Sequence, residues 1–281
     1  MLRHRLPALT ALGALLTLTL IRLGHAAPSS EHGWSMPHDD SVHGHRLDWL
    51  LHITFVFIGI LFLVMCGWML IACVRHGRKH SAKYDHGDKR RSMLAPLGMA
   101  AIVFVVVDGN LFFHSTKDMH SIFWNFAHAE SAPNAVRIEV NAHQWAWDAR
   151  YAGPDGKWNT QDDVVTLNDI RVPVGAPVIF QLGAVDVLHS FYLPNFRVKM
   201  DVVPGNITRA WLQAREVGEF EIGCAQHCGT NHYKMRGLLT VLPPAEYERW
   251  LADASRDSAQ RWRAEDTAAH WGWPWQKGAR K

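Results

Sequence analysis

The stretch CAQHCGTNHYKM, residues 224–235, sets Cys224, Cys228, His232 and Met235 three or four positions apart. Two thiols, an imidazole and a thioether so close together form a metal-ligand pattern, and donor chemistry narrows the metal. Cys-x3-Cys-x3-His alone admits zinc, which takes tetrahedral nitrogen and sulfur ligands but seldom a thioether. Met235 turns the reading to copper, since soft thiolate and thioether donors with imidazole favour it, and a mononuclear blue site uses one Cys, two His and a weak axial Met. The second cysteine goes beyond that set and suits two sulfurs bridging two coppers. On spacing alone a Cys224–Cys228 disulfide, a zinc knot and a single copper stay open.

Compartment decides whether those cysteines face oxidation. Of the 281 residues, 48% are hydrophobic and 20% charged, values of a soluble protein on average, yet the apolar residues are segregated. Arg3 and Arg5, an apolar run from Leu6 to Ile21 and the small residues Gly24, Ala26 and Ala27 have the layout of a signal peptide, residues 1–27. A short outer segment, 28–46, leads to a hairpin over 47–114 with transmembrane helices at about 49–74 and 94–113, each long enough for the hydrocarbon core. The loop between them carries Arg75, Arg78, Lys79, Lys83, Lys89, Arg90 and Arg91 against Asp85 and Asp88. Such a loop stays on the cytoplasmic side, so everything after His114 lies on the far, oxidising side, where exposed cysteine pairs tend to become disulfides. Cys66 and Cys73 share a face of the first helix and read as buried apolar filler. The net charge is only +3, and no nucleic-acid partner is expected.

From 131 to 242 the pattern becomes short alternating segments: VRIEV, VVTL, IRVPV, PVIFQL, RAWLQA, EFEIGC and LLTVL, separated by Pro, Gly, Asn and Asp turns. This predicts an antiparallel sandwich or barrel. After Pro243-Pro244, residues 243–281 read as a surface helix and tail, with Tyr247, Trp250, Leu251 and Ala254 on the packed side.

One more imidazole is expected from another part of the β-region, and DVLHSFYLPNFRVKMDVVPG, 186–205, offers His189 after a strand and ahead of an ordered loop. With Asp186, Val187, His189, Ser190, Pro194, Val198, Lys199, Asp201, Pro204 and Gly205 joined to Cys224, Cys228, Gly229, His232 and Met235, the chain resembles subunit II of the haem-copper oxidases over roughly 45–250. The resemblance implies a two-helix transmembrane hairpin carrying an all-β, cupredoxin-like Greek-key barrel and the C-terminal helix. It implies a binuclear copper (CuA) centre bridged by Cys224 and Cys228, with His189 and Met235 on one metal and His232 and the Gln226 carbonyl on the other. The family often has Glu at position 226, helping to bind magnesium at the boundary with the catalytic subunit; glutamine keeps the carbonyl but is neutral.

The same resemblance makes Trp145, in NAHQWAWDARY, the entry point for electrons from cytochrome c. Trp147, two residues on along a strand, shares its face and packs, and Ala146 stands where the family has a further aromatic. Asp162, Asp163, Asp169 and Asp186 are candidates to steer a basic cytochrome c. Asp155, Asn159 and Asp163 offer oxygens to calcium, though not at the spacing of known calcium loops. Asp108 and Asn110 lie toward the outer end of the second helix, where a lipid-facing carboxylate costs a few kcal/mol, and face a protein partner or the headgroups. His52 reads as packed or interfacial, and His32, His38, His43 and His45 as a solvated tail. The Glu-x-x-Trp-Thr pattern common before the family's second helix is replaced by RRSMLAPLGMA.

The function implied is that of subunit II of a respiratory cytochrome c oxidase in the bacterial inner membrane, with its β-domain in the periplasm. It would pass electrons to haem in the catalytic subunit I, beside other oxidase subunits, for reduction of oxygen to water coupled to proton pumping. The chain has no Cys-x2-Cys-His haem attachment site and no haem-ligating bundle. Two alternatives are a CuA-bearing subunit of a nitric oxide reductase and a copper-binding assembly or storage protein.

Overall fold

The computed structural model describes residues 36–77, 80, 81, 84 and 86–261, except for the side chains of Arg91 and Arg261. The signal-peptide stretch, His32, Arg78, Lys79, Lys83, Asp85 and the tail beyond 261 lie outside the described residues. Met36–Asp39, the described end of an N-terminal unit, has no helix or strand; a second compact unit begins at Asp40.

Helix α1 spans Gly44–Arg75. Its long apolar stretch buries no residue within the chain, the mark of a helix whose whole circumference meets lipid or another protein. At 1.5 Å per residue it rises about 48 Å, enough to cross the ~30 Å core. The return path is α2 (Arg90–Val103), a π-helical stretch at Phe104–Asp108, α3 (Gly109–Asp118), a second π stretch at Met119–Phe123, and α4 (Phe126–Ser131). Helical structure thus runs well past the apolar run ending near Phe113. Phe126, Ile122 and Ala129 explain the extension, because they pack against the β-domain residues Ile179 and Trp211. Cys73 is exposed and Cys66 half-buried, which corrects their reading as buried filler: α1 buries almost nothing within this chain. Asp108 and His52 are likewise exposed.

Ten strands follow: β1 (Val136–His143), β2 (Ala146–Tyr151), β3 (Val164–Leu167), β4 (Asp169–Pro173), β5 (Pro177–Ala184), β6 (His189–Leu193), β7 (Val198–Val202), β8 (Thr208–Gln213), β9 (Gly218–Cys224) and β10 (Arg236–Leu242). They form two five-stranded sheets, ordered β3-β2-β1-β5-β8 and β4-β10-β9-β6-β7, a cupredoxin-like sandwich. The expectation of a wholly antiparallel domain is corrected at β1–β5 and β4–β10, which pair in parallel. Parallel neighbours need long crossover connections, and both are built from strands that lie between them in sequence. Ile138, Val140, Trp147, Phe180, Leu182, Phe191, Leu193, Ile222, Leu239 and Val241 fill the space between the sheets and are fully buried. Helix α5 (Pro244–Arg261) lays Tyr247, Trp250, Leu251 and Ala254 on this core, as its periodicity predicts.

On the outer face of the first sheet, Arg150 and Glu139, cross-strand partners, form a buried ion pair. Arg150 also donates to Asn159 Oδ1 (2.6 Å), lies 3.9 Å from Asp163 Oδ2 and sits 5.4 Å from the Trp158 ring centroid. The helices are tied to the sandwich at their outer ends. Arg197 forks onto Asp48 of α1 (2.7 and 2.9 Å), Trp211 Nε1 donates to the carbonyls of Ile122 and Phe123 (both 3.1 Å), and Arg209 pairs with Glu130 over the Phe126 ring. Arg46 of α1 meets the buried Asp118 of α3 at 3.0 Å.

Candidate metal centre

Two loops at one end of the second sheet bring the ligand candidates together. His189 follows β5, as expected, but opens strand β6 where a loop was expected. Cys224 closes β9, Cys228 lies in the loop beyond it, His232 starts a single 3-10 turn, and Met235 precedes β10. The loop is closed by its own backbone: Cys224 N–H donates to Met235 O (3.3 Å), His232 N–H to Gly229 O (3.1 Å) and Met235 N–H to His232 O (3.1 Å), while Ala225 N–H reaches Ser190 O (3.0 Å) on β6. Strand ends set His189, Cys224 and Met235, and the loop's own backbone bonds bring Cys228 and His232 to them.

The two sulfurs are unbonded and 3.7 Å apart. Cys224 Sγ lies 4.0 Å from His189 Nδ1 and 3.2 Å from the Gln226 carbonyl; Cys228 Sγ lies 3.6 Å from His232 Nδ1 and 3.7 Å from Met235 Sδ. His189, Cys228 and Met235 are buried, at 0%, 2% and 1% exposure, whereas Cys224, Gln226 and His232 are half-buried. Among the described residues, His189, Cys224 and Cys228 are the one group of three or more His, Cys, Asp or Glu side chains whose ligand atoms, all within 4.8 Å of one another, suit an ion.

Electrostatics divide the two thiols. Burial raises the Cys224 thiol, but hydrogen bonding to His189 and to the backbone at Gln226 and Ser190 outweighs it and brings it down to about 6. Burial and the adjacent Cys224 push Cys228 up to about 12. One thiolate therefore forms readily and its neighbour resists a second negative charge. A bound cation relieves that conflict, as thiolate ligands require. Around the ligands, Asp186 Oδ1 lies 2.9 Å from His189 Nε2, turning Nδ1 toward Cys224. Burial would raise Asp186, yet its bonds from His189, Val187 and Gln144 hold it below the usual carboxylate range. Ser190 Oγ donates to Asp201 Oδ1 at 2.7 Å. With two facing sulfurs, two imidazoles, a thioether and a carbonyl, the set fits copper better than zinc. Position 226 offers no carboxylate for magnesium.

Other sequence candidates fare differently. Trp145 lies in the β1–β2 turn, not on a strand, so it does not share a face with Trp147. The pairing His143↔Ala146 makes Gln144 and Trp145 the turn itself. The Trp145 indole is half-buried and donates to the Cys228 carbonyl at 3.2 Å. Trp147 is fully buried, edge-on to His189 and Phe191, as packing requires. The four acidic residues are all engaged inside the domain: Asp163 is buried against Arg150 and accepts from Asn159 N–H, Asp169 pairs with Arg171, Asp186 holds His189, and Asp162 accepts from Thr160. Asp155 accepts from Lys157 N–H and Asn159 from Arg150, so the oxygens read as calcium ligands serve the loop's own donors. Gln144, the first residue of the Gln-Trp-x-Trp segment that resembles the family's, carries no role in the sequence reading; its place just before Trp145 is the available signal.

Comparison with known proteins bears on the family. Residues 136–241 match the family model for the cytochrome c oxidase subunit II periplasmic domain. The chain is 31% identical over 229 residues to the alternative cytochrome c oxidase subunit 2 of Bradyrhizobium diazoefficiens, covering 73% of this chain and 79% of that one. It is 28% identical over 224 residues to cytochrome c oxidase subunit 2 of Alkalihalophilus pseudofirmus, covering 76% of this chain and 61% of the relative. The crystal structure of the periplasmic domain of a cytochrome oxidase subunit II from Bradyrhizobium japonicum is 27% identical, with 44% of this chain and 96% of that one covered at a TM-score of 0.40. A relative 31% identical over most of both chains, together with the match of residues 136–241 to the family model, means that this chain belongs to the cytochrome c oxidase subunit II family.

Proposed function

We propose that this chain is the electron-accepting subunit of a respiratory cytochrome c oxidase. It spans the bacterial inner membrane with its sandwich in the periplasm, takes electrons from cytochrome c at Trp145, and passes them to haem in the catalytic subunit I, where oxygen is reduced to water and protons are pumped. Cys224, Cys228, His189, His232, Met235 and the Gln226 carbonyl would hold a binuclear copper centre. Bound there, the copper pair supplies a one-electron store whose charge change is shared between two metals. The single observation that carries the reading is the convergence of two unbonded thiols with both imidazoles and the thioether within 4.0 Å of a sulfur.

The protein's part is rigidity and exclusion of water. Asp186 holds the His189 ring by its outer nitrogen, and outer-shell bonds of this kind fix a ligand's tautomer and orientation. Trp147 stands edge-on to His189 and is itself backed by Phe191. Ligands that cannot move keep the reorganisation accompanying electron transfer small. Trp145 bridges the surface to the carbonyl of a ligand residue through one hydrogen bond.

Electron paramagnetic resonance of the copper-loaded chain tests this. The hyperfine pattern of one electron shared by two equivalent coppers is expected, and Cys228→Ser should abolish it; the pattern of a single copper, or zinc on metal analysis, overturns the assignment. In the purified complex, nitric oxide consumption without oxygen uptake would transfer the chain to the nitric oxide reductases.

A further inference from the structure

Gln144, at the tip of the β1–β2 turn, touches both loops that carry the ligand candidates. Its backbone N–H donates to Asp186 Oδ2 at 2.6 Å, and the other oxygen of that carboxylate lies 2.9 Å from His189 Nε2. Its side-chain amide donates to the Cys228 carbonyl at 2.8 Å, the same oxygen that accepts the Trp145 indole N–H at 3.2 Å. A carbonyl has two lone pairs, and here each meets one donor.

The chain turns sharply at the next residue. Gly229 has φ +116°, a conformation L side chains rarely adopt, and a Cβ there would stand 2.8 Å from Gln144 Nε2 and 3.3 Å from Trp145 Cζ2. The glutamine amide and the indole therefore lie directly against the bare backbone of the ligand loop, an approach only glycine permits.

We propose that Gln144 is a positioning residue: it fastens the His189 loop to the Cys228 loop and holds the Trp145 ring against the latter, so that entry ring and sulfur keep one separation. A glutamine merely decorating a docking surface needs neither the aimed amide nor the bare glycine beneath it. The inference deepens the electron-relay reading and rests on it for its redox arm alone.

Gln144 is exposed, so Gln144→Ala and Gln144→Met are expected to fold; both remove the amide and keep the backbone N–H that binds Asp186. The first arm uses the metal-free full chain. Losing a neutral hydrogen bond should speed hydrogen exchange at the His232, Lys234 and Met235 amides about 2- to 10-fold. The second arm uses the copper-loaded oxidase, in which both variants should shift the copper reduction potential and slow electron entry from reduced cytochrome c at every salt concentration. Unchanged exchange in both variants overturns the proposal. So does slower entry that disappears at saturating cytochrome c with an unaltered potential, since that marks a docking contact. If the chain binds no copper, the electron-relay reading falls while the exchange arm still decides the role of Gln144.

Discussion

Removing Arg150 should be the most damaging single change in the sandwich. Its side chain and that of Glu139 are only 2% and 1% exposed, and the guanidinium also serves Asn159 and Asp163. Arg150→Met would leave the Glu139 carboxylate buried without its cation, and breaking one side of a buried pair costs about 3–5 kcal/mol, whereas replacing both sides with apolar groups is often neutral. At roughly 2–4 °C per kcal/mol for a unit of this size, the midpoint should fall by about 6–20 °C. Asp163 adds a pH signature. Burial holds it above its ordinary value even with Arg150 beside it, so the folded state binds its proton more tightly than the unfolded chain does. Stability is then lost as pH rises from the unfolded to the folded value and recovered on acidification. Without Arg150 this slope should steepen, and the variant's deficit should shrink toward acid pH. Urea unfolding of the full chain in detergent, followed by near-ultraviolet circular dichroism across pH, measures both effects, with Glu139→Leu/Arg150→Met closing the cycle. A loss below about 1 kcal/mol for Arg150→Met, or a double variant as costly as the sum of the singles, would refute the reasoning.

Asp186→Ala removes the outer partner of His189 and should weaken copper binding about 10- to 100-fold, read by competition with a chelator; unchanged affinity would strip Asp186 of that role. Met235→Leu should retain copper and shift its potential, because a weak thioether ligand tunes the site; voltammetry checks this, and an identical potential counts against Met235 as a ligand. Trp145→Phe keeps an aromatic ring but loses the donor to Cys228, so entry from cytochrome c should slow while copper content stays constant; stopped-flow mixing decides.

The candidate ligand set was legible because metal chemistry needs particular side chains at fixed spacing: Cys224, Cys228, His232 and Met235 sit on one loop, the motif around His189 adds the remaining imidazole, and the fold brings these side chains together. The membrane helices and most strands were legible from hydropathy and alternation. What the one-dimensional pattern hid was pairing and burial. Nothing local in VRIEV or PVIFQL says that they lie side by side in parallel, since that follows from the crossover through β2, β3 and β4. Strand β6 was read as a loop because its HSFYL merges with the motif. Asp163 and Asp169 looked like free surface charges, although Arg150 and Arg171, their partners, are distant or easily overlooked in the sequence. Gln144 acts through a contact spanning 84 positions, which no spacing rule reports.

The clasp of Arg197 on Asp48, with Trp211 resting on the end of the second helical run, has a mechanical consequence. It restrains the sandwich from pivoting on the helices and so holds the candidate ligand loops at one height relative to them. If the chain relays electrons as proposed, a loose stalk would give each molecule its own hand-off rate, whereas a stiff one would make the gap toward the membrane a constant of the fold and leave arrival of the donor as the step that varies.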